Sequence, residues 1–167
     1  MYRIRPATVG DRDAVERLAA ARFDWMAAHG HAPWPERSGD FAGKAGRAPM
    51  WCLVEGDELC GVTILVDRLG TAVWTETERQ EPSLLLTATI TSPARAGQQL
   101  GARIAWWAVD RAAHLGYAWV RRVTSEPALV DYYLRQSFTL VRESVFRGRP
   151  VYALQRPAKL MPEPLSA

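Results

Sequence analysis

Residues 83–116 limit what this chain can fold into more than any other stretch. SLLLTATITSP (83–93) is a β-prone run that Pro93 stops. ARAGQQLGARIAWWAVDRAAHLG (94–116) follows, where Leu100, Ile104, Trp107, Ala108 and Leu115 recur at helical spacing and Gly116 closes the pattern. A strand that turns through glycine into an amphipathic helix, with strand patterns on both sides of it, predicts a mixed α/β sheet.

The flanking sequence supplies those strands. YRIRPAT alternates as a short strand and leads into Thr8-x-x-Asp11, a capping-box-like start. The helix it opens carries Val15, Leu18, Arg22 and Met26 on one face, and Gly30 ends it. Residues 31–49, with Pro33, Pro35 and Pro49, read as a loop or a short broken helix. MWCLVEGDELCGVTILVD is a hairpin about Gly56-Asp57, a register that sets Leu53 opposite Cys60 and places Trp51, Leu53, Cys60, Val62 and Ile64 on one face. Cys52 then projects from the other face, so a disulfide is geometrically poor. Neither cysteine has metal-ligand spacing with His29, His31 or His114; both read as core thiols, and no metal is expected. An irregular stretch at 68–82 carries Glu76, Glu78 and Glu81. After the central helix come a strand (117–125), a short helix (127–136) and two strands joined by RGRP. The predicted element order is β-α-(α)-β-β-β-α-β-α-β-β in one domain, 1–156, with a disordered tail at 157–167.

Composition narrows the function classes. A chain of 167 residues is one domain's worth, and no apolar run approaches the roughly 18–20 residues of a membrane span. MYRIRPATVGDRDAVERL is charged throughout and has no apolar core of a secretory signal, so a cytoplasmic location is expected. The basic residues are Arg except for Lys44 and Lys159, and they are spread over every element. With a net charge of only +3, that scatter ranks a nucleic-acid surface last, yet it suits an anionic, phosphate-bearing ligand.

The junction of strand 83–93 with the helix after Gly97 is the best site in the sequence. A glycine-containing turn that enters a helix presents several unpaired N–H groups and the positive end of the helix dipole, so phosphate binds there without needing a particular side chain. About thirty residues later, SEPALVDYYLRQSF sets two tyrosines on a short helix that bends at Ser137-Phe138 into the next strand.

That order of elements, from Tyr2 to about Gln155, resembles the GNAT superfamily of acyl-CoA-dependent N-acetyltransferases. TITSPARAGQQLGARI looks like the family's acetyl-CoA motif and YYLRQSF like its Tyr-x-x-x-Gly-Phe motif. The resemblance implies a mixed, mostly antiparallel α/β sheet flanked by helices and splayed at the acetyl-CoA strand. The family pattern Arg/Gln-x-x-Gly-x-Gly/Ala falls on Ala96-Gly97-Gln98-Gln99-Leu100-Gly101. Its lead residue is replaced by Ala96 and its inner glycine by Gln99, but the backbone N–H groups from Gly97 to Ala102 remain to hold pyrophosphate. Thr89, Ile90 and Thr91 would supply main-chain groups to pantetheine, with the Thr89 N–H as oxyanion donor.

Tyr133 falls on the tyrosine that protonates the departing thiolate, and Ser137 takes the place of the motif's glycine. A phenol, ordinarily near pKa 10, lies about 1.5 units above a thiol, close enough for partial transfer. Tyr132 is the structural foil, since adjacent helix residues point about 100° apart and one of the two packs into the core. The strand carboxylate that many family members use as base would fall near Leu85, and the strand has none. Glu81, with Glu76 and Glu78, is the substitute candidate, and Glu143 ranks below them. The partners implied are acetyl-CoA and a small-molecule or peptide amine, with no membrane; a homodimer rests on analogy of fold.

Overall fold

The computed structural model describes residues 1–162. By backbone contacts the chain divides into two compact units, one built from 1–64 and 88–104 and the other from 65–87 and the described residues after 104. The first unit holds β1 (Tyr2–Pro6), a 3₁₀ turn at Val9–Asp11, α1 (Arg12–Ala28), α2 (Ser38–Ala42) and β2 (Met50–Glu55). It also holds most of β3 (Glu58–Val66), β5 (Ile90–Thr91) and the start of α4 (Leu100–His114). The second unit takes the end of β3, α3 (Glu76–Gln80), β4 (Ser83–Leu86), the rest of α4, β6 (Trp119–Thr124), α5 (Pro127–Leu134), β7 (Thr139–Phe146) and β8 (Arg149–Pro157). Hydrogen bonding orders the strands β1-β2-β3-β4-β6-β8-β7, with β5 on β3. Among the described residues only β4–β6 is parallel, so the sheet is mixed and mostly antiparallel, as the resemblance implies.

In the first unit Thr8 and Asp11 start the helix as expected: the Thr8 N–H donates to Asp11 Oδ2 at 2.7 Å, and the same carboxylate pairs with Arg5 at 2.8 Å. Val15, Leu18 and Ala19 of α1 are buried with Ile4, Phe41, Met50, Leu53, Val62 and Ile90. Each aliphatic side chain fully removed from water there contributes about 1.5–3 kcal/mol. In the second unit the core runs through Trp74, Leu84, Leu86, Trp107, Val109, Val120, Phe138 and Leu154. Trp106, next to the buried Trp107, is exposed, as the stripe on the helix requires.

Four expectations change. The hairpin turns at Gly56-Asp57 with Glu55 facing Glu58, but a bulge between Leu53 and Val54 sets Leu53 opposite Gly61, not Cys60. Cys52 therefore faces Val62, and the two thiols are buried and free. The run 83–93 is two strands with a break at 87–89. The stretch 68–82 contains α3, whose N-cap Thr75 accepts from the Glu78 N–H at 3.2 Å while the Glu78 carboxylate accepts from the Thr75 N–H at 2.8 Å. That is a Thr-x-x-Glu capping box readable in the sequence. Of the expected tail, residues 163–167 lie outside the described residues. Within 158–161, the N–H groups of Ala158 and Lys159 donate to the carbonyls of Ala118 and Val109, and the Met161 N–H donates to Asp110 Oδ1.

Candidate active site

The break at 87–89 follows from register. Gly61 faces Thr91 and Val62 faces Ile90. Continued without a shift, that register would set Leu65 opposite Thr87; instead Leu65 faces Leu86 and Val66 faces Leu85. One extra residue is therefore taken up at 87–89, between the two ladders. Thr63 Oγ1 and Thr89 Oγ1 lie 2.9 Å apart at that break. The Ser92 N–H donates to the Cys60 carbonyl at 2.9 Å. Because bonded and non-bonded pairs alternate in an antiparallel ladder, Thr91 turns its main-chain groups away from β3. Its carbonyl accepts from Arg22 Nε and its hydroxyl from Arg22 Nη2, both at 2.9 Å. On β4, the parallel ladder to β6 stops at Leu85 and Arg121, after which β6 continues to Thr124 on β8 alone.

Beyond β5 a 3₁₀ turn at Pro93–Arg95 leads to the predicted glycine turn. Gly97 has φ 84° and Gln99 φ 55°, so two left-handed residues lie within three positions, one of them not glycine. The Arg103 N–H bonds the Gln99 carbonyl at 3.0 Å, which makes Gln99 the residue from which α4 winds. Among the described residues, no acceptor meets the N–H groups of Gly97, Gln99, Leu100, Gly101 and Ala102. Five N–H donors thus stand together at one end of a fifteen-residue helix, where the helix dipole is positive. The nearby arginines are engaged by side chains and carbonyls of the same unit. Arg95 is neutralised by Glu55 (2.5 Å) and Glu58, which ties the turn to the β2–β3 hairpin and raises the Arg95 pKa, with Glu58 the leading cause. Gln98 Oε1 accepts from the Tyr2 hydroxyl, and Arg103 Nε bonds the Gln98 carbonyl at 3.2 Å while its guanidinium lies 4.9 Å from the Tyr2 ring centre.

Tyr133, not Tyr132, is the buried tyrosine of α5, at 8% exposure. Its ring packs on Phe138 at 6.2 Å and carries the Arg122 guanidinium over its face at 4.0 Å. Among the described residues no group hydrogen-bonds its hydroxyl. Ser137 has φ 68°, the left-handed conformation that a motif glycine would hold, and this bend lets the Phe138 N–H return to the Tyr133 carbonyl at 3.1 Å.

The glutamates have structural partners. Glu81 grips the fully buried Arg121 with Oε1 at 2.8 Å and accepts from Trp119 Nε1 with Oε2 at 2.9 Å. Arg121, then Trp119, hold the Glu81 carboxyl below the ordinary carboxylate range. Arg121 also bonds the Glu78 carbonyl (2.6 Å), Ser83 Oγ (3.2 Å) and Gln155 Oε1 (3.1 Å), and its guanidinium lies 5.0 Å from the Trp74 ring centre. Glu78 pairs with Arg142 at 2.7 Å, which lowers its pKa to about 2. A base works best with a pKa near the operating pH, and both carboxyls are moved the other way. Glu81 thus has the geometry of a counter-ion. Glu76 and Glu143 are exposed. The sequence reading missed Arg121 and Arg122; the signal was VRRVT, two arginines on opposite faces of an otherwise apolar strand, each needing a partner.

Among the described residues no helix is long and apolar enough to cross a membrane, and no group of three or more His, Cys, Asp or Glu could hold a metal ion. No protein-family model matches the sequence, and no curated protein matches it either. Solved structures do. An acetyltransferase of the GNAT family from Listeria monocytogenes is similar at TM-score 0.77 and 17% identity, over 93% of this chain and 94% of that one. The Drosophila melanogaster polyamine N-acetyltransferase, which forms N-acetylagmatine, is similar at TM-score 0.67 and 15% identity, over 94% and 100%. The Salmonella typhimurium protein yncA, solved with its cofactor acetyl-CoA, is similar at TM-score 0.63 and 17% identity, over 99% of each chain. At these identities the likeness is one of fold: this chain has the fold of the GNAT-family acetyltransferases.

Proposed function

We propose that this protein is an N-acetyltransferase that moves an acetyl group from acetyl-CoA to a primary amine. The observation that carries the reading is the turn at 96–99, where left-handed Gly97 and Gln99 leave five backbone N–H groups without an acceptor at the start of α4. Pyrophosphate fits that donor set: the turn is exposed, carries no carboxylate, and has nothing within 4 Å of where a Cβ on Gly97 would stand. In this reading residues 97–102 hold the pyrophosphate, while Thr89, Ile90 and Thr91 offer main-chain groups to pantetheine. The Thr89 N–H meets the thioester oxygen as charge develops there, a role in which one donor is worth about 3–4 kcal/mol. Tyr133 gives its proton to the departing thiolate. No side chain is assigned as base, because Glu78 and Glu81 are bound to arginines; the amine loses its proton to water.

A second reading, a CoA-binding protein without catalysis, is favoured by the missing strand carboxylate at Leu85. Isothermal titration of acetyl-CoA, beside Gly101→Glu as control, tests the site. Micromolar binding lost in the variant supports it, and no heat refutes both readings. CoA thiol release over a panel of primary amines (agmatine, spermidine, an aminoglycoside and a peptide with N-terminal alanine) separates the enzyme from the silent binder.

A further inference from the structure

We propose that Arg122 is the positioning residue for Tyr133: its guanidinium clamps the phenol ring and favours the negative charge that grows on the phenol oxygen as the proton leaves. The inference rests on Tyr133 being the acid. In that step the Tyr133 O–H bond breaks as the S–H bond of CoA forms, and the phenolate recovers a proton from water.

The argument is geometric. Arg122 is only 3% exposed, on a strand where a cation must be compensated by what surrounds it. Its Cζ stands 4.0 Å from the Tyr133 ring centre and 5.9 Å from that of Phe138. Arg103 over Tyr2 and Arg22 over Trp25 stand at 4.9 and 5.0 Å by comparison. The stack is fixed from three sides: β6 holds Arg122 opposite Leu154 of β8, α5 holds Tyr133, and the left-handed Ser137 turns Phe138 back against the same ring. A cation over a neutral aromatic face is a modest attraction, but toward a phenolate it becomes an interaction of opposite charges inside a poorly solvated site. It therefore strengthens in the transition state and lowers the barrier, which a purely structural contact does not do. Only a planar guanidinium can lie flat on the ring, so lysine is an incomplete replacement.

The test is a double-mutant cycle on thiol release, using acetyl-CoA and the fastest amine of the panel. Tyr133→Phe should lower kcat by about 100-fold, within the range for a lost proton donor. Arg122→Met should lower kcat at least tenfold with the KM for acetyl-CoA unchanged, and Arg122→Lys should recover part of that loss. In the Tyr133→Phe background Arg122→Met should cost less than twofold further, because the group it acts through is gone. Losses that multiply in the double variant, or a full rate in Arg122→Met while Tyr133→Phe is slow, overturn the role of Arg122 alone. A full rate in Tyr133→Phe overturns the acid and the clamp together. Near-UV circular dichroism reads the same geometry without turnover: Arg122→Met should erase most of the tyrosine band that Tyr133→Phe erases, and an intact band overturns the clamp even if the amine panel is silent.

Discussion

Replacing Gln99 with glycine should stabilise this protein, although it deletes a side chain. Gln99 holds φ 55°, a conformation that costs an L-residue about 1–2 kcal/mol through the crowding of its Cβ against the backbone. Its side chain is exposed and makes no hydrogen bond among the described residues, so little is lost with it. Glycine removes the crowding but frees the unfolded chain, which costs about 0.5–1 kcal/mol. The net gain is about 0.5–1 kcal/mol. For a chain of 167 residues it should raise Tm by about 1–4 °C in a thermal melt. Gln99→Ala keeps the crowding and removes only the polar tail, so its Tm should stay within about 1 °C of the parent. Gly97→Ala is the mirror experiment: at φ 84°, with nothing near the added methyl, about 1–2 kcal/mol of backbone strain is offset by about 0.5–1 kcal/mol from the stiffer unfolded chain, a net loss of about 0.5–1 kcal/mol. If Gln99→Gly lowers Tm, or Gln99→Ala raises it as much as glycine does, the strain does not reside in the backbone and the reasoning fails.

Four further outcomes follow from the same structure. Gly46→Ala should cost well over the strain of its φ of 76°, about 3 kcal/mol or more, because the new Cβ would stand 2.6 Å from the Val9 backbone nitrogen; a melt within about 2 °C of the parent would contradict this. Glu78 has its pKa lowered to about 2 by Arg142, so the stability it adds is complete above the ordinary carboxyl range near 4.5 and is lost as the pH falls toward 2. With Arg142 one-third exposed and the pair screened by solvent, that is about 1–2 kcal/mol, and Glu78→Gln should flatten the acid limb of a denaturation profile in that window. Glu81→Gln leaves the buried Arg121 without its counter-charge and should cost about 1–3 kcal/mol in a denaturant melt, while kcat for the folded fraction changes less than about threefold; a loss of a hundredfold in kcat with an unchanged melt would restore Glu81 as a base. Tyr133→Phe should show the opposite pattern, a slow enzyme with a melt within about 2 °C of the parent, since its hydroxyl has no hydrogen-bond partner among the described residues.

Why some of this was legible in the sequence and some was not is a matter of range. Periodicity reports what lies within one or two turns, so α1, α4 and the Gly56-Asp57 turn stood out, and Trp106 and Trp107 separated into exposed and buried. An extra residue in a strand does not alter the letters around it, so Cys60 and Thr89 lie at register shifts that no alternation could reveal. The partners of the glutamates were hidden for a longer-range reason. Glu81 reads as a free carboxylate until the Leu85–Arg121 pairing of β4 with β6 brings a fully buried guanidinium within 2.8 Å of it. The turn at 96–99 is the instructive middle case. Gln99 and Ser137 break the motif that glycine would satisfy, which reads as a weakened site if letters carry the function. The backbone keeps φ 55° and φ 68° at those two positions. What binds an anion at a helix start is the direction of N–H groups, set by φ and ψ and not by the side chain. At Gln99 the left-handed backbone sets the N–H directions at the start of α4, and at Ser137 it sets the bend that returns Phe138 to Tyr133; both conformations are unfavourable for an L-residue and are held by the structure around them. At both positions the letters depart from the motif while the backbone keeps the conformation that its glycine would hold.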